Sequence, residues 1–242
     1  MILKPDTNVA GRPAVSPFPY GLGQAGLHEL AEAGFGDFAA LAGLTLAALR
    51  DAGRPGVCLW VRQQALAAEH GRVSARGVAG FGFDPGRLLW VEARTRLDAL
   101  RAIEEGARDK ELAAVVGEVD GMDFTAARRL VLASESSRTP LVLMFPHTRS
   151  GATAAQGRWR VSARPSQPDP YDARAPGRPA WRAVLEKSRL RPGEAGRVFD
   201  LEFHHEAPCL RLVPGLAARP SVPQPRRIGP VPGRGLEWRD TG

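Results

Sequence analysis

The stretch LHELAEAGFGDFAALAGLTLAALRDAGRPGVCLWV, residues 27–61, decides the fold because two apolar, strand-like segments flank a helical pattern within it. The first segment, LHELA, predicts a strand over residues 27–31. The helical pattern begins at Asp37 and runs to about Ala52, where Gly53 ends it. The second segment, VCLWV, is a continuous apolar run, as a strand buried on both faces requires. The stretch therefore predicts a strand–helix–strand unit of a parallel sheet.

The same alternation continues along the chain. Three further apolar runs predict buried strands: LLWVE at residues 88–92, LAAVVGEV at 112–119 and LVLMF at 141–145. Helical patterns lie between these runs. Thr95 with Asp98 is typical of a capping box, and Thr125 is expected to cap the next helix. Strands and helices that alternate in this way predict right-handed βαβ units, and hence an α/β domain with a mainly parallel sheet.

After Phe145 the hydrophobic pattern changes to alternation with period two. Four such segments follow: RWRVSAR at residues 158–164, WRAVLEK at 181–187, RVFDLEF at 197–203 and CLRLV at 209–213. Alternation of this kind predicts antiparallel strands with one solvated face. We expect an antiparallel extension on the C-terminal side of the parallel sheet.

Shifts in composition divide the chain into three parts. Residues 1–26 are rich in proline and glycine and are expected to form a loosely ordered leader. The folded domain is predicted over residues 27–213, with a proline-rich insertion at 165–179. Residues 214–242 hold six prolines and few large apolar side chains, so a disordered Pro/Arg-rich tail is predicted there.

Composition also narrows the class of protein. The 242 residues carry a net charge of +7, and all but three of the 33 cationic side chains are arginine. This balance favours a nucleic acid or an acidic protein as partner, although a GC-rich genome that replaces lysine with arginine is the simpler explanation. The longest apolar run, Phe38–Leu49, is too short to cross a bilayer, so a cytoplasmic protein is expected. Cys58 and Cys209 lie inside apolar runs, which predicts core thiols rather than a disulfide.

The loop EAGFGDFAA, residues 32–40, stands where an α/β protein places a phosphate-binding loop. Such a loop needs glycines that let the backbone approach, a lysine for the terminal phosphates and a hydroxyl for Mg²⁺. Gly34 and Gly36 can still bend the loop. The four positions that would carry the required groups are instead occupied by Glu32, Asp37, Phe38 and Ala39.

Asp37 is expected to close this loop to phosphate. It lies at the N-terminus of the predicted helix, where its carboxylate can accept the free amides and meet the positive end of the helix dipole. It would then occupy the anion position and repel a nucleotide. We therefore predict a degenerate phosphate loop with no bound cofactor.

Four stretches, in their order and spacing, carry a family resemblance. They are GLHELAEAGFGDFAALAGLTLAAL, FGFDPGRLLWVEARTRLDALRAIEEGARDKELAAVVGEVDGMDFTAARRLVLASE, GRWRVSARPS and GRPAWRAVLEKSR. In this order they resemble the ImuA family, RecA-like accessory proteins that bacteria encode with ImuB, a reduced Y-family polymerase-like partner, and with an error-prone C-family polymerase. The resemblance spans roughly residues 20–213 and implies a RecA-like (P-loop NTPase-type) core.

The resemblance implies a protein-binding module rather than an enzyme. ImuB is the implied partner, with the error-prone C-family polymerase and RecA as further candidates. An active RecA-like ATPase has a glutamate just past its second core strand, where this chain has Gln63 and Gln64. Glu118 stands near the position of the Mg²⁺-binding aspartate, but without the lysine and the hydroxyl it would not assemble a metal–nucleotide site. We expect no catalytic residues and no metal.

Four arginines are candidate contacts to DNA or to an acidic partner: Arg149, Arg158, Arg160 and Arg164. The last three share one face of a predicted strand, and Arg149 lies in the preceding loop. A basic stripe and an ordinary solvated sheet face are equally compatible with this pattern. The loops that grip DNA in RecA-like recombinases correspond here to the short segments 146–157 and 120–123, so DNA contact is expected to be weak or indirect.

The tail contains a candidate docking peptide. Proline-rich chain with sparse apolar residues is typical of a segment that becomes ordered on a partner. An inert tail is the alternative. The residues that would dock are Arg226, Arg227, Ile228 and Trp238.

These observations lead to one functional hypothesis with two alternatives. The leading hypothesis is a non-catalytic RecA-like adaptor in damage-inducible, SOS-type translesion synthesis, which binds ImuB and helps to assemble the mutasome. The alternatives are a divergent DNA-dependent ATPase and a single-stranded DNA-binding module.

Overall fold

The computed structural model describes residues 21–24, 26–166, 172, 174–175, 177–204 and 209–213. A nine-stranded sheet forms its centre. The strands are β1 (Gly26–Glu32), β2 (Cys58–Gln63), β3 (Leu88–Ala93), β4 (Ala114–Glu118), β5 (Pro140–Phe145), β6 (Gly157–Arg164), β7 (Ala180–Ser188), β8 (Val198–His204) and β9 (Cys209–Leu212).

The sheet is parallel in its first part and antiparallel in its second. Its strand order is β3-β2-β4-β5-β1-β6-β7-β8-β9. All pairs from β3 to β6 are parallel, and the pairs from β6 to β9 are antiparallel. A mainly parallel α/β sheet with an antiparallel C-terminal extension was predicted from the hydrophobic patterns, and this prediction is confirmed.

In the part of the chain that the structure describes, five α-helices connect the strands. They are α1 (Phe38–Ala52), α2 (Gln64–His70), α3 (Ala75–Gly80), α4 (Arg96–Arg108) and α5 (Phe124–Ser137). Gly53 ends α1 in the left-handed conformation at φ 63°, as predicted. None of the described helices is long and apolar enough to cross a membrane.

The helix caps confirm one prediction and correct another. The Thr95 hydroxyl accepts a hydrogen bond from the Asp98 amide at the start of α4, as the capping-box pattern predicts. The predicted cap at Thr125 is wrong, because Asp123 caps α5 and its carboxylate accepts from the Ala126 amide at 2.7 Å. Thr125 already lies within α5, which begins at Phe124, whereas Asp123 directly precedes the helix, where the chain is still extended.

The two faces of the sheet bury separate cores. One core lies beneath α1 and includes Leu30, Trp60 and Trp159. The other lies beneath α4 and α5 and includes Ile103 and Phe145. Alternate residues of each strand point to opposite faces, so the central strands must be apolar on both sides, which explains their continuous apolar runs.

Candidate functional site

The loop between β1 and α1, residues 33–37, lies at the carboxyl edge of the parallel strands, where open α/β sheets bind ligands. Gly36 adopts a φ of 100°, which strongly favours glycine. Gly34 adopts no such conformation. The Ala33 amide donates to the Val161 carbonyl at 2.8 Å, so the loop continues the alignment of β1 with β6.

Asp37 holds this loop through the chain's own amides. One of its carboxylate oxygens accepts from the Gly34 amide at 3.3 Å, and the other accepts from the Ala163 amide of β6 at 3.0 Å. The expected hydrogen bonds to the free amides of α1 are absent, because the side chain turns toward the loop and β6 instead. The prediction that Asp37 caps the helix is therefore wrong in its geometry. Its negative charge nevertheless lies at the N-terminus of α1, where it disfavours a second anion.

Phe38 stands at the position that the predicted phosphate-loop alignment assigns to the lysine. Its side chain is buried, and its ring stacks on His70 with centroids 4.3 Å apart and an interplanar angle of 7°. Ala39, which the same alignment assigns to the hydroxyl, is the next residue of α1 and is exposed. Phe35 is 71% exposed, and its ring lies edge-on to His147 at 6.1 Å. The loop thus presents the exposed ring of Phe35, while Phe38 belongs to the core beneath α1.

Glu32, which the predicted phosphate-loop alignment assigns to the first glycine, is fully buried. Its Oε1 atom accepts from the backbone amide of His147 and lies 3.1 Å from Nδ1 of the same residue. This pair joins the end of β1 to the segment that follows β5. The carboxylate therefore has a structural role that the local sequence did not reveal.

Glu118 is the last residue of β4, near the place that the resemblance gives to a metal-binding aspartate. Trp60 donates its indole N–H to the Glu118 carboxylate at 2.6 Å, and the Arg62 guanidinium lies 3.9 Å away. Burial raises the pKa of Glu118, while the Trp60 hydrogen bond acts in the opposite direction. Gln63 makes a reciprocal pair of hydrogen bonds with Asp120. Among the described residues, no group of three or more His, Cys, Asp and Glu side chains is placed to hold a metal ion.

Two of the four candidate arginines converge on one buried glutamate. Glu29 of β1 is fully buried, and Arg158 Nε donates to it at 2.8 Å. Arg149 Nη2 donates to the same carboxylate at 3.2 Å, and the Thr153 hydroxyl completes the cluster. The guanidinium groups of Arg149 and Arg158 are therefore largely withdrawn from solvent, with side chains 8% and 7% exposed.

The other two candidate arginines lie closer to the surface. Arg160 donates to Glu186 at 2.7 Å and to the carbonyls of His147 and Arg149. Arg164 is exposed at the end of β6. Alternation in the sequence predicts that the three strand arginines share one face of a strand. It does not reveal the partner of Arg158, which is Glu29, the single acidic residue within the apolar run LHELA. The tail residues Arg226, Arg227, Ile228 and Trp238 lie outside the described residues.

Comparisons with known proteins place the chain in a family. No protein-family model matches it. Protein ImuA of Caulobacter vibrioides strain NA1000 / CB15N is 33% identical over 226 residues, which cover 86% of this chain and 88% of that protein. Protein ImuA of strain ATCC 19089 / CIP 103742 / CB 15 gives the same values. Among solved structures, the crystal structure of SulA from Pseudomonas aeruginosa matches 50% of this chain and 97% of its own, with 17% identity and a TM-score of 0.41. With a third of its residues shared over nearly the full length of these relatives, the chain belongs to the ImuA family.

Proposed function

We propose that this protein is a non-catalytic adaptor of error-prone translesion DNA synthesis, with a RecA-like core that binds ImuB and helps to assemble the mutasome with the error-prone polymerase. Its family membership supports a role in the ImuA/ImuB mutagenesis system. The mainly parallel sheet, with a glycine turn leading from β1 into α1, is compatible with a RecA-like core. Support for the adaptor role itself comes from the geometry of the β1–α1 loop.

The observation that carries the adaptor role is the way in which the β1–α1 loop is filled. Asp37 uses its carboxylate on the Gly34 and Ala163 amides, and Phe38 packs its ring on His70. A phosphate would have to displace a negative charge and would find neither lysine nor hydroxyl. Nucleoside triphosphate hydrolysis depends almost entirely on positioning and on charges that stabilise the phosphates, and this loop supplies neither.

The arginines favour a protein partner over a DNA-binding role. Binding to a DNA backbone is driven by cationic side chains that neutralise phosphates and release counterions. Glu29 neutralises part of the charge of Arg149 and Arg158, and Glu186 pairs with Arg160. Of the four, Arg164 is left as the exposed cation at the end of β6. The sheet surface around β6 is therefore a weak candidate for a polyanion site.

Two measurements test this function. The full chain, tagged and co-expressed with the ImuB of the same genome, is expected to co-elute with it in size-exclusion chromatography. Calorimetric titration with ATP and Mg²⁺, and a phosphate-release assay with single-stranded DNA, are expected to give neither saturable binding nor turnover. Failure to co-elute would remove the adaptor role, and turnover would establish an ATPase instead.

A further inference from the structure

We propose that the cavity between α1, the α2–α3 segment and β7 is a docking pocket for an acidic segment of ImuB that carries one or two large apolar side chains. This proposal rests on the proposed function, because it assigns the adaptor's partner a place on the surface. The cavity measures about 460 Å³ and opens beside the N-terminal half of α1. We call it the α1 pocket.

The walls of the α1 pocket are apolar and aromatic. Phe38 and Leu46 line it from α1, and Val73, Phe81 and Trp181 line it from the opposite side. Its volume falls within the range of pockets that take a compact ligand, about 300–1,000 Å³. Large apolar side chains from a partner would bury these walls and release the water that they hold.

Gly43 shapes this pocket from the middle of α1. A Cβ atom at this position would lie 3.1 Å from the rings of both Phe81 and Trp181, closer than side chains normally approach. Glycine in a helix interior is unfavourable relative to alanine. Its presence here allows the two rings to pack directly against the helix backbone, which fixes the aromatic wall.

The charges around the α1 pocket favour an acidic occupant. Arg164 contributes an exposed guanidinium group to its lining, whereas the exposed guanidinium of Arg72 is already paired with Glu92 through hydrogen bonds of 2.8 and 3.0 Å. Glu118 also lines the pocket but is buried and accepts the Trp60 hydrogen bond. Like charges repel across an interface, and opposite charges steer the encounter. The surface therefore complements an apolar anchor flanked by carboxylates.

His70 offers a further contact point for the occupant. It lines the α1 pocket beneath Phe38, and its side chain is 5% exposed. Its Nε2 atom has no hydrogen-bond partner among the described residues, and the nearest carboxylate, that of Glu69, is 3.7 Å away. Buried polar atoms are normally satisfied, so a polar group of the occupant would complete the site.

The chain's own tail is a poorer occupant than a partner. Residues 214–242 carry five arginines against two acidic residues, Glu237 and Asp240. A segment with this excess of positive charge would be repelled by Arg164. An acidic segment from another protein therefore matches the chemistry of the pocket better than this tail does.

Two pairs of variants of the full chain test the α1 pocket. Ala39→Trp places an indole at the exposed alanine that lines the pocket, and Ala68→Trp places one at an exposed helical alanine outside the lining. Arg164→Glu reverses a charge of the lining, and Arg101→Glu reverses an exposed charge on α4. Binding to immobilised full-length ImuB is measured for all five proteins by biolayer interferometry, with thermal melting to confirm that each is folded.

We expect Ala39→Trp and Arg164→Glu each to weaken binding about tenfold, as loss of an interface anchor does, and the two control variants to bind as the wild type does. The wild-type affinity should fall with salt, and the Arg164→Glu affinity should fall less steeply. If both pocket variants bind ImuB as tightly as the wild type does, the proposed docking at the pocket is overturned, while the adaptor role stands. Tighter binding by Ala39→Trp would also overturn the proposal, because a partner that inserts into the pocket cannot bind better when an indole fills it. Absence of wild-type binding would overturn the adaptor role and the pocket together.

Discussion

Arg158 and Glu29 form an ion pair on neighbouring strands, with 2.8 Å between Nε and the carboxylate, at a place where the glutamate has no exposure to solvent. Arg149 reaches the same carboxylate from the loop before β6. One buried negative charge thus holds two guanidinium groups. Removing one member of such a cluster leaves the others charged and buried, which costs far more than the net contribution of the cluster.

We expect Glu29→Gln to destabilise the fold by about 3–5 kcal/mol, the cost of breaking a buried ion pair from one side. Urea denaturation followed by circular dichroism measures the free energy of unfolding. Glu105→Gln on α4 is the matched control, because the Glu105 side chain is 85% exposed and its removal should change that free energy by less than about 0.5 kcal/mol. Equal effects of the two substitutions would contradict the role assigned to the cluster.

His28, which is buried on β1, should make stability depend on pH. Burial lowers the pKa of its imidazole from 6.5 to about 4. Between these values the unfolded chain binds a proton that the folded chain does not, so stability decreases as the pH falls from about 6.5 to about 4, by about 3 kcal/mol in total. His28→Phe removes this contribution. The difference in unfolding free energy between wild type and variant should therefore change across that pH range, and a constant difference would count against a depressed pKa.

The Trp60–Glu118 hydrogen bond should tolerate loss of charge better than loss of the acceptor. Burial already raises the pKa of Glu118 by disfavouring its charged form, and the amide oxygen of Glu118→Gln can still accept from the indole. Glu118→Ala instead leaves the buried indole N–H unsatisfied, at a cost of about 1–3 kcal/mol. The free energy of unfolding, measured by urea titration, should be clearly higher for Glu118→Gln than for Glu118→Ala. Similar losses for both would mean that the charge, rather than the hydrogen bond, is what the site requires.

The correction at the start of α5 can be checked with a neighbouring pair of substitutions. Asp123→Ala removes the carboxylate that accepts from the Ala126 amide and should cost about 1 kcal/mol. Thr125→Ala, two residues later, removes an exposed side chain that does not cap the helix and should change stability by less than about 0.5 kcal/mol. The midpoints of thermal unfolding distinguish the two. A larger effect at Thr125 would restore the cap that the sequence pattern favours.

The sequence predicts the parts of this fold that depend on neighbouring residues. Continuous apolar runs such as VCLWV identify strands, but the prediction that LLWVE is buried is wrong, because it forms the edge strand β3, on which Leu89 is 54% and Trp90 is 39% exposed. Gly53 marks the end of α1 because only a few residue types adopt its conformation readily. The helices α2 and α3 escaped prediction because each is two turns or shorter, and α2 buries only Leu66 and Ala67. A segment so short shows no measurable periodicity.

The candidate site divides in the same way. That Phe38 and Ala39 offer neither an ammonium group nor a hydroxyl is a local fact, so it can be read from the sequence directly. The partners of Asp37 and Glu29 cannot, because Ala163 and Arg158 follow them by more than a hundred residues and meet them only when β6 pairs with β1. Long-range pairing therefore decides whether a charged residue is a surface contact or a buried support.

The cluster of Glu29, Arg149 and Arg158 also limits which substitutions this family can accept at these three positions. A neutral residue at position 29 would leave two buried cations without a counter-charge, and loss of either arginine would leave the carboxylate with fewer hydrogen bonds. The three positions should therefore be inherited as a unit, with viable lineages changing them together or leaving all three as they are. An aligned set of ImuA sequences would reveal this as correlated substitution between an early strand and a segment about 120 positions later.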